Sequence, residues 1–294
     1  MPKTLSTDIK DLTFCADYFP AQGAARALLF CLPGGGASKG YYDLSESNSF
    51  ARNMSACGYN VLTMDHPGTG SNPLPADHPF LSPRDAADYL AKALESFRQD
   101  LNANIPTIGI GHSMGGMAIT LIQGQHKPFD ALGLFGSSPG GLDWGLDDHE
   151  KAFIGDETRI AAELEALTLR KFGANFLPHP GGGPSGKSIT FGGEKPELVE
   201  ALRQNLCELY GSGGMMSMLR GSFTTEVSAI DVPVFFAFGD HDIGIPPEDV
   251  PAMYPNLPSH ELLILENTGH NSFAFSSLTA LCARLDGWVQ KTVA

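Results

Sequence analysis

Six short apolar runs, each closed by a turn or polar residue, constrain the fold of this chain more than any other feature. They are Ala27–Leu32 (ALLFCL), Val61–Met64 (VLTM), Thr107–Ile110 (TIGI), Ala131–Phe135 (ALGLF), Val234–Phe238 (VFFAF) and Leu262–Leu265 (LLIL). Each is too short for a globular helix. A strand with one wet face alternates apolar and polar residues, and these runs do not alternate. They are therefore predicted to be strands buried on both faces, the signature of a parallel sheet.

Helical patterns separate the runs. Ser82-Pro83-Arg84-Asp85 opens one helix with a capping serine, proline at the first position and an acid in the first turn. Ala86, Tyr89, Leu90, Ala93, Leu94 and Phe97 then form a single apolar stripe. Further helices are predicted over Phe50–Ala56, Ser113–Gln125 and Ser276–Lys291. Strand and helix in alternation define an α/β fold, a mostly parallel central sheet with helices on both faces. The rhythm breaks from Ser137 to Val232, where no core strand is evident. Two helices are expected there, one carrying Ile160, Leu164 and Leu167, the other starting at Pro196 and carrying Leu198, Leu202 and Leu206. The expected organisation is a core domain of residues 1–136 and 233–294 with a cap, or lid, of residues 137–232.

Composition narrows the function. The 294 residues include 34 glycines and 21 prolines, above the usual shares of roughly 7% and 5%. No collagen period accompanies them, and 42% of the chain is hydrophobic, so a folded core is expected. With 19 basic against 33 acidic residues the net charge is −14. Such a chain repels a phosphate backbone, and nucleic-acid binding is not expected. Nor is a membrane role: no run approaches a transmembrane length, and the start, MPKTLSTDIKDLTF, lacks the apolar stretch of a signal peptide. Five scattered cysteines without a CxxC pair fit a reducing cytoplasm. Monomer and homodimer are both compatible with the sequence.

The chemistry concentrates where the apolar runs end. Gly111-His112-Ser113-Met114-Gly115 fits G-x-S-x-G, with a strand before it and a helix after. That context projects the serine from a strained turn and aims the Met114 N–H at a reacting carbonyl. A serine nucleophile needs a base, and the base needs an orienting acid. His270 follows the last apolar run and is the expected base, with His66 a minor rival. Asp240 and Asp242 follow the run Val234–Phe238. Asp242 is the expected acid, with Asp240 and Glu266 as alternatives. His112 is expected to pack beneath the turn, near the pocket. Leu32-Pro33-Gly34-Gly35-Gly36 can bring backbone N–H groups to a substrate oxygen, and Gly35 is the expected second oxyanion donor, ahead of Gly36. Met215, Met218 and Phe223 belong to an apolar cluster that is either a pocket wall or the cap's own core. Asp240-His241-Asp242 lacks a spaced partner cluster, so no metal and no cofactor are expected.

Taken in order, LPGGG, DHPGTGSN, GHSMGG, GDHDIGIP and TGHNSF span nearly the whole chain. Together they resemble the α/β-hydrolase superfamily, in its serine esterase or lactonase-like branch. The resemblance implies that fold with a helical cap inserted after the sixth strand, a Ser113-His270-Asp242 triad, and hydrolysis of a small-molecule ester or lactone. The sequence departs in having Pro33 where many relatives have histidine before the early glycines. Carbon–carbon-bond hydrolases share the glycine loop and the DxPGxGxS turn, and some relatives with a triad act mainly as ligand receptors. A separate motif, Gly181–Ser188 (GGGPSGKS), fits the P-loop pattern. Neither a buried strand before it nor a helix after it is predicted, so nucleotide binding is not expected.

Overall fold

A computed structural model describes residues 2–101, 103–142, 145–178 and 194–293. The P-loop-like segment and most of the glycine- and proline-rich stretch of the expected lid lie outside the described residues.

The central sheet has eight strands. They are β1 (Lys3–Ile9), β2 (Leu12–Phe19), β3 (Leu28–Leu32), β4 (Asn60–Met64), β5 (Thr107–His112), β6 (Ala131–Phe135), β7 (Val234–His241) and β8 (His260–Gly269). Their spatial order is β1-β2-β4-β3-β5-β6-β7-β8. From β4 to β8 all neighbours are parallel, whereas β1 and β2 add an antiparallel edge. All six apolar runs form strands, apart from Ala27, which lies just before β3. The hairpin β1–β2 was not anticipated. Its residues alternate, with Leu12, Phe14 and Ala16 buried and their neighbours more exposed, as an edge pair with one wet face requires.

Helices α1 (Phe50–Ala56), α2 (Pro83–Asp100), α3 (Met114–His126), α4 (Asp148–Lys151), α5 (Glu157–Phe172), α6 (Pro196–Gln204), α7 (Gly211–Met218), α8 (Thr224–Ser228) and α9 (Leu278–Thr292) complete the described fold. Ser82 caps α2 as expected, its side chain accepting the Asp85 N–H. The apolar stripe of α2 joins α3 in one buried cluster, and α1 and α9 form another. Helices thus cover both sheet faces.

The segment between β6 and β7 is helical, with one short ladder pairing Phe176–Leu177 to Leu209–Tyr210. Its helix α5 ends at Gly173, which adopts a left-handed conformation. Helices α7 and α8 were not read from the sequence, because the first is rich in glycine and the second spans little more than one turn. Arg84 on α2 ties the segment down by bonding both Glu226 and Glu157.

One close passage fixes the centre. Helix α3 runs against the ends of β3 and β5 with no room for side chains. A Cβ on Gly115 would lie 2.1 Å from the Leu32 carbonyl oxygen, and one on Gly111 2.4 Å from the Gly115 oxygen. Both obstacles are backbone. Gly115→Ala should therefore destabilise the fold by about 2 kcal/mol or more. Gly287→Ala, in α9 with open space around it, should stabilise by up to about 1 kcal/mol. Urea denaturation of the two variants checks the opposite signs.

Candidate active site

Chain order reverses direction between β3 and β5. From β3 the chain moves outward to β4 on one side, then returns to β5 on the other. The carboxyl ends of two such strands open a crevice, the usual ligand site of an open α/β sheet. In this sheet Leu32 pairs with Gly111 at that point, so the glycine turn after β3 faces the turn after β5.

Ser113 occupies the turn with φ 53° and ψ −122°. A non-glycine residue there is strained by roughly 1–3 kcal/mol. Its N–H donates to the Phe135 carbonyl at 2.8 Å, anchoring the turn to the end of β6. The hydroxyl oxygen lies 2.9 Å from His270 Nε2. On the other edge of that imidazole, Nδ1 lies 2.6 Å from Asp242 Oδ1. His270 and Asp242 are both buried. Burial alone would raise the Asp242 carboxyl, but contact with His270 and the Ile243 N–H outweighs it and holds the acid below its ordinary range. A charged Asp242 accepts the Nδ1–H, which leaves the Nε2 lone pair facing the serine O–H.

Asp240, the alternative acid, is turned away. Its carboxylate accepts the N–H groups of Asn267 and Thr268, both at 2.9 Å, and so fixes the end of β8 just before His270. Those bonds and His241 overcome the effect of burial and hold it at about 2. His66 also lies away from Ser113, its Nε2 donating to the Pro33 carbonyl at 2.8 Å.

The glycine turn packs directly on the serine. A Cβ on Gly34 would sit 2.9 Å from His112 Nδ1 and 3.2 Å from Ser113 Cβ. The same construction on Gly35 gives 3.5 Å to Met114 Sδ, so Gly35 and Met114 adjoin. As the first residue of α3, Met114 has an N–H that the helix does not use. Gly36 instead offers its carbonyl to the Cys207 N–H.

Two cavities meet at Ser113, Met114 and His270. One is about 40 Å³ and reaches Met117, Ser137 and Ser138; the other is about 240 Å³ and reaches Gly35, Phe172, Leu209 and Met218. Met218 lies on the wall of the larger cavity. Met215 and Phe223 do not line either cavity. They are packed in the core cluster shared with α3, where a flat apolar pattern cannot distinguish core from pocket.

His112 is buried beside the turn. Its Nε2 donates to the His270 carbonyl at 2.8 Å, and its ring packs 4.7 Å from Tyr41. Tyr41 had no distinguishing signal in the sequence. Asp65, the first residue of the DHPGTGSN motif, accepts from the Lys39 and Ser71 N–H groups and so tethers the chain beyond the glycines.

Among the described residues no cluster of three or more His, Cys, Asp or Glu side chains could hold a metal, and no helix is long and apolar enough to cross a membrane. A mostly parallel sheet with a strained serine between β5 and α3, hydrogen-bonded to a late histidine, defines an α/β-hydrolase architecture. The chain belongs to the alpha/beta hydrolase family, whose sequence profile matches residues 29–284. No curated protein matches it by sequence. Among solved structures it is similar to a soluble variant of monoglyceride lipase from Saccharomyces cerevisiae, at 19% identity and TM-score 0.68, covering 100% of this chain and 96% of that one. A thermophilic esterase from Thermogutta terrifontis is similar over 100% of both chains, at 15% identity and TM-score 0.64. An N-acyl homoserine lactonase is similar at 16% identity and TM-score 0.62, over 99% of this chain and 98% of that one.

The buried histidines set an acid limit on stability. Burial, and for His112 also the charge of His270, pushes His66 and His112 below the ordinary imidazole value of about 6.5. The unfolded chain therefore binds more protons below pH 6.5, and stability present at pH 7 is lost as pH falls. Each histidine contributes at most about 1.4 kcal/mol per pH unit there. His112→Gln should be less stable at pH 7 and lose less between pH 7 and pH 5. Urea midpoints at both pH values measure this, and an unchanged difference refutes it.

Proposed function

We propose that this protein is a serine hydrolase that cleaves a carboxylic ester or lactone through an acyl-enzyme. The observation that carries the reading is the continuous chain from Asp242 through His270 to Ser113, with contacts of 2.6 and 2.9 Å, at the crevice between β3 and β5.

In this mechanism His270 Nε2 takes the Ser113 proton as Oγ attacks the substrate carbonyl. Asp242 keeps the imidazole in the reactive tautomer and stabilises it once charged. The N–H groups of Gly35 and Met114 hold the oxyanion, the latter at the positive end of α3. Collapse of the tetrahedral species transfers the proton from His270 to the leaving alcohol and forms the ester to Ser113. Water then attacks that ester with His270 again as base, releasing the acid and free Ser113. No metal or cofactor enters these steps.

Residues 137–232 act as the cap in this reading, since Phe172, Leu209 and Met218 from that segment wall the larger cavity. All five cysteines are free, which suits a reducing compartment such as the cytoplasm.

Ser113→Ala should fold normally and lower turnover of a good ester substrate by roughly 10⁴-fold or more, and Asp242→Asn should cost about 10⁴-fold. Steady-state rates, with circular dichroism to verify folding, test this. A folded Ser113→Ala protein with near wild-type turnover would falsify the mechanism.

A further inference from the structure

The two cavities at Ser113 differ in size and in chemistry. The smaller, about 40 Å³, has Gly136, Asp242 and Gly244 beside the imidazole, with Ser137 and Ser138 set among Met117, Leu142, Phe238 and Ile243, so its wall is mixed rather than polar. The larger, about 240 Å³, starts from the glycine turn and is walled by Phe172, Leu209 and Met218. A water-sized group needs about 10–15 Å³. The larger part thus has several times the room of the smaller.

The reaction assigns a direction to each. Besides Ser113 Oγ, the tetrahedral carbon carries an oxyanion, an acyl chain and a leaving oxygen. The oxyanion faces Gly35 and Met114. The leaving oxygen must take a proton from His270 Nε2, so the alcohol departs on the imidazole side, where the smaller part lies. The acyl chain has the remaining direction, along the apolar wall. Serine hydroxyls suit a polar alcohol, and the apolar wall suits a hydrocarbon chain.

We infer that the substrate is an acyclic ester joining a medium-length apolar acyl chain to a small, hydroxyl-bearing alcohol. The inference rests on the serine hydrolase reading above. A small-ring lactone ties its acyl and alkoxy ends together and so does not fill both parts.

Two ester series followed by pH-stat titration test it. One lengthens the acyl chain of methyl esters from acetyl to decanoyl. The other keeps octanoyl and replaces methanol by glycerol, then by butanol and octanol. From methyl acetate to methyl octanoate kcat/KM should rise at least about tenfold, as several methylenes enter an apolar wall. Mono-octanoylglycerol should match or exceed methyl octanoate, and octyl octanoate should fall at least about tenfold below it. Leu209→Trp should shift the preferred acyl length downward by several carbons. Flat profiles, a preference for long alcohols over long acyl chains, faster turnover of lactones, or an optimum unmoved by Leu209→Trp would each overturn the assignment. Fluorophosphonate labelling of Ser113 in the same preparations separates the two claims. Labelled protein with the wrong profile defeats only the substrate assignment, whereas unlabelled, inactive protein defeats the hydrolase reading itself.

Discussion

Everything at this site depends on how closely α3 passes the ends of β3 and β5. At Gly111 and Gly115 backbone lies where a side chain would stand. That passage forces Ser113 to φ 53° and lifts its hydroxyl out of the sheet. The same contact brings the Gly34–Gly35 turn against Ser113 and Met114. Ser113 and the turn proposed to hold the oxyanion are therefore set by one packing event, and the strain at Ser113 is held by the surrounding sheet, to which its own N–H is tied through the Phe135 carbonyl.

Around this centre, hydrogen bonds of three side chains fix backbone rather than substrate. His66 holds the Pro33 carbonyl, His112 holds the His270 carbonyl, and Asp240 holds the N–H groups of Asn267 and Thr268. Each acts on backbone at, or within three residues of, a group that the proposed mechanism uses. Pro33 has no side chain able to tie its own turn down, and His66 and Asp65 reach across from the turn after β4 to restrain it. Both buried histidines are kept neutral by burial, so these restraints carry no unpaired charge into the core.

The parallel strands were legible because a strand buried on both faces must be apolar throughout, and the sequence contains such runs in the right places. The hairpin β1–β2 was not legible in the same way, since an edge pair alternates and its first strand holds only Leu5 and Ile9 as large apolar residues. The serine, histidine and aspartate that meet in the crevice could be picked from motifs at strand ends. Asp242 was preferred to Asp240 from the sequence, but the register shift between Gly239 and His241 that precedes it could not be read there. Pocket walls were the least legible: Met215, Met218 and Phe223 are close in sequence, yet only Met218 reaches the cavity. Helix α7 is apolar on nearly every side, and periodicity has no phase to report there.

The central claim is that Ser113 carries the acyl group between two steps. The most direct measurement is how that intermediate divides between water and an added alcohol. Octanoyl esters of methanol, glycerol and butanol are hydrolysed with ethanol present, and the ratio of ethyl octanoate to octanoic acid is determined for each. A shared acyl-enzyme predicts one ratio, whatever alcohol has left. A ratio that changes with the leaving alcohol means that water attacks the substrate directly, and contradicts the account.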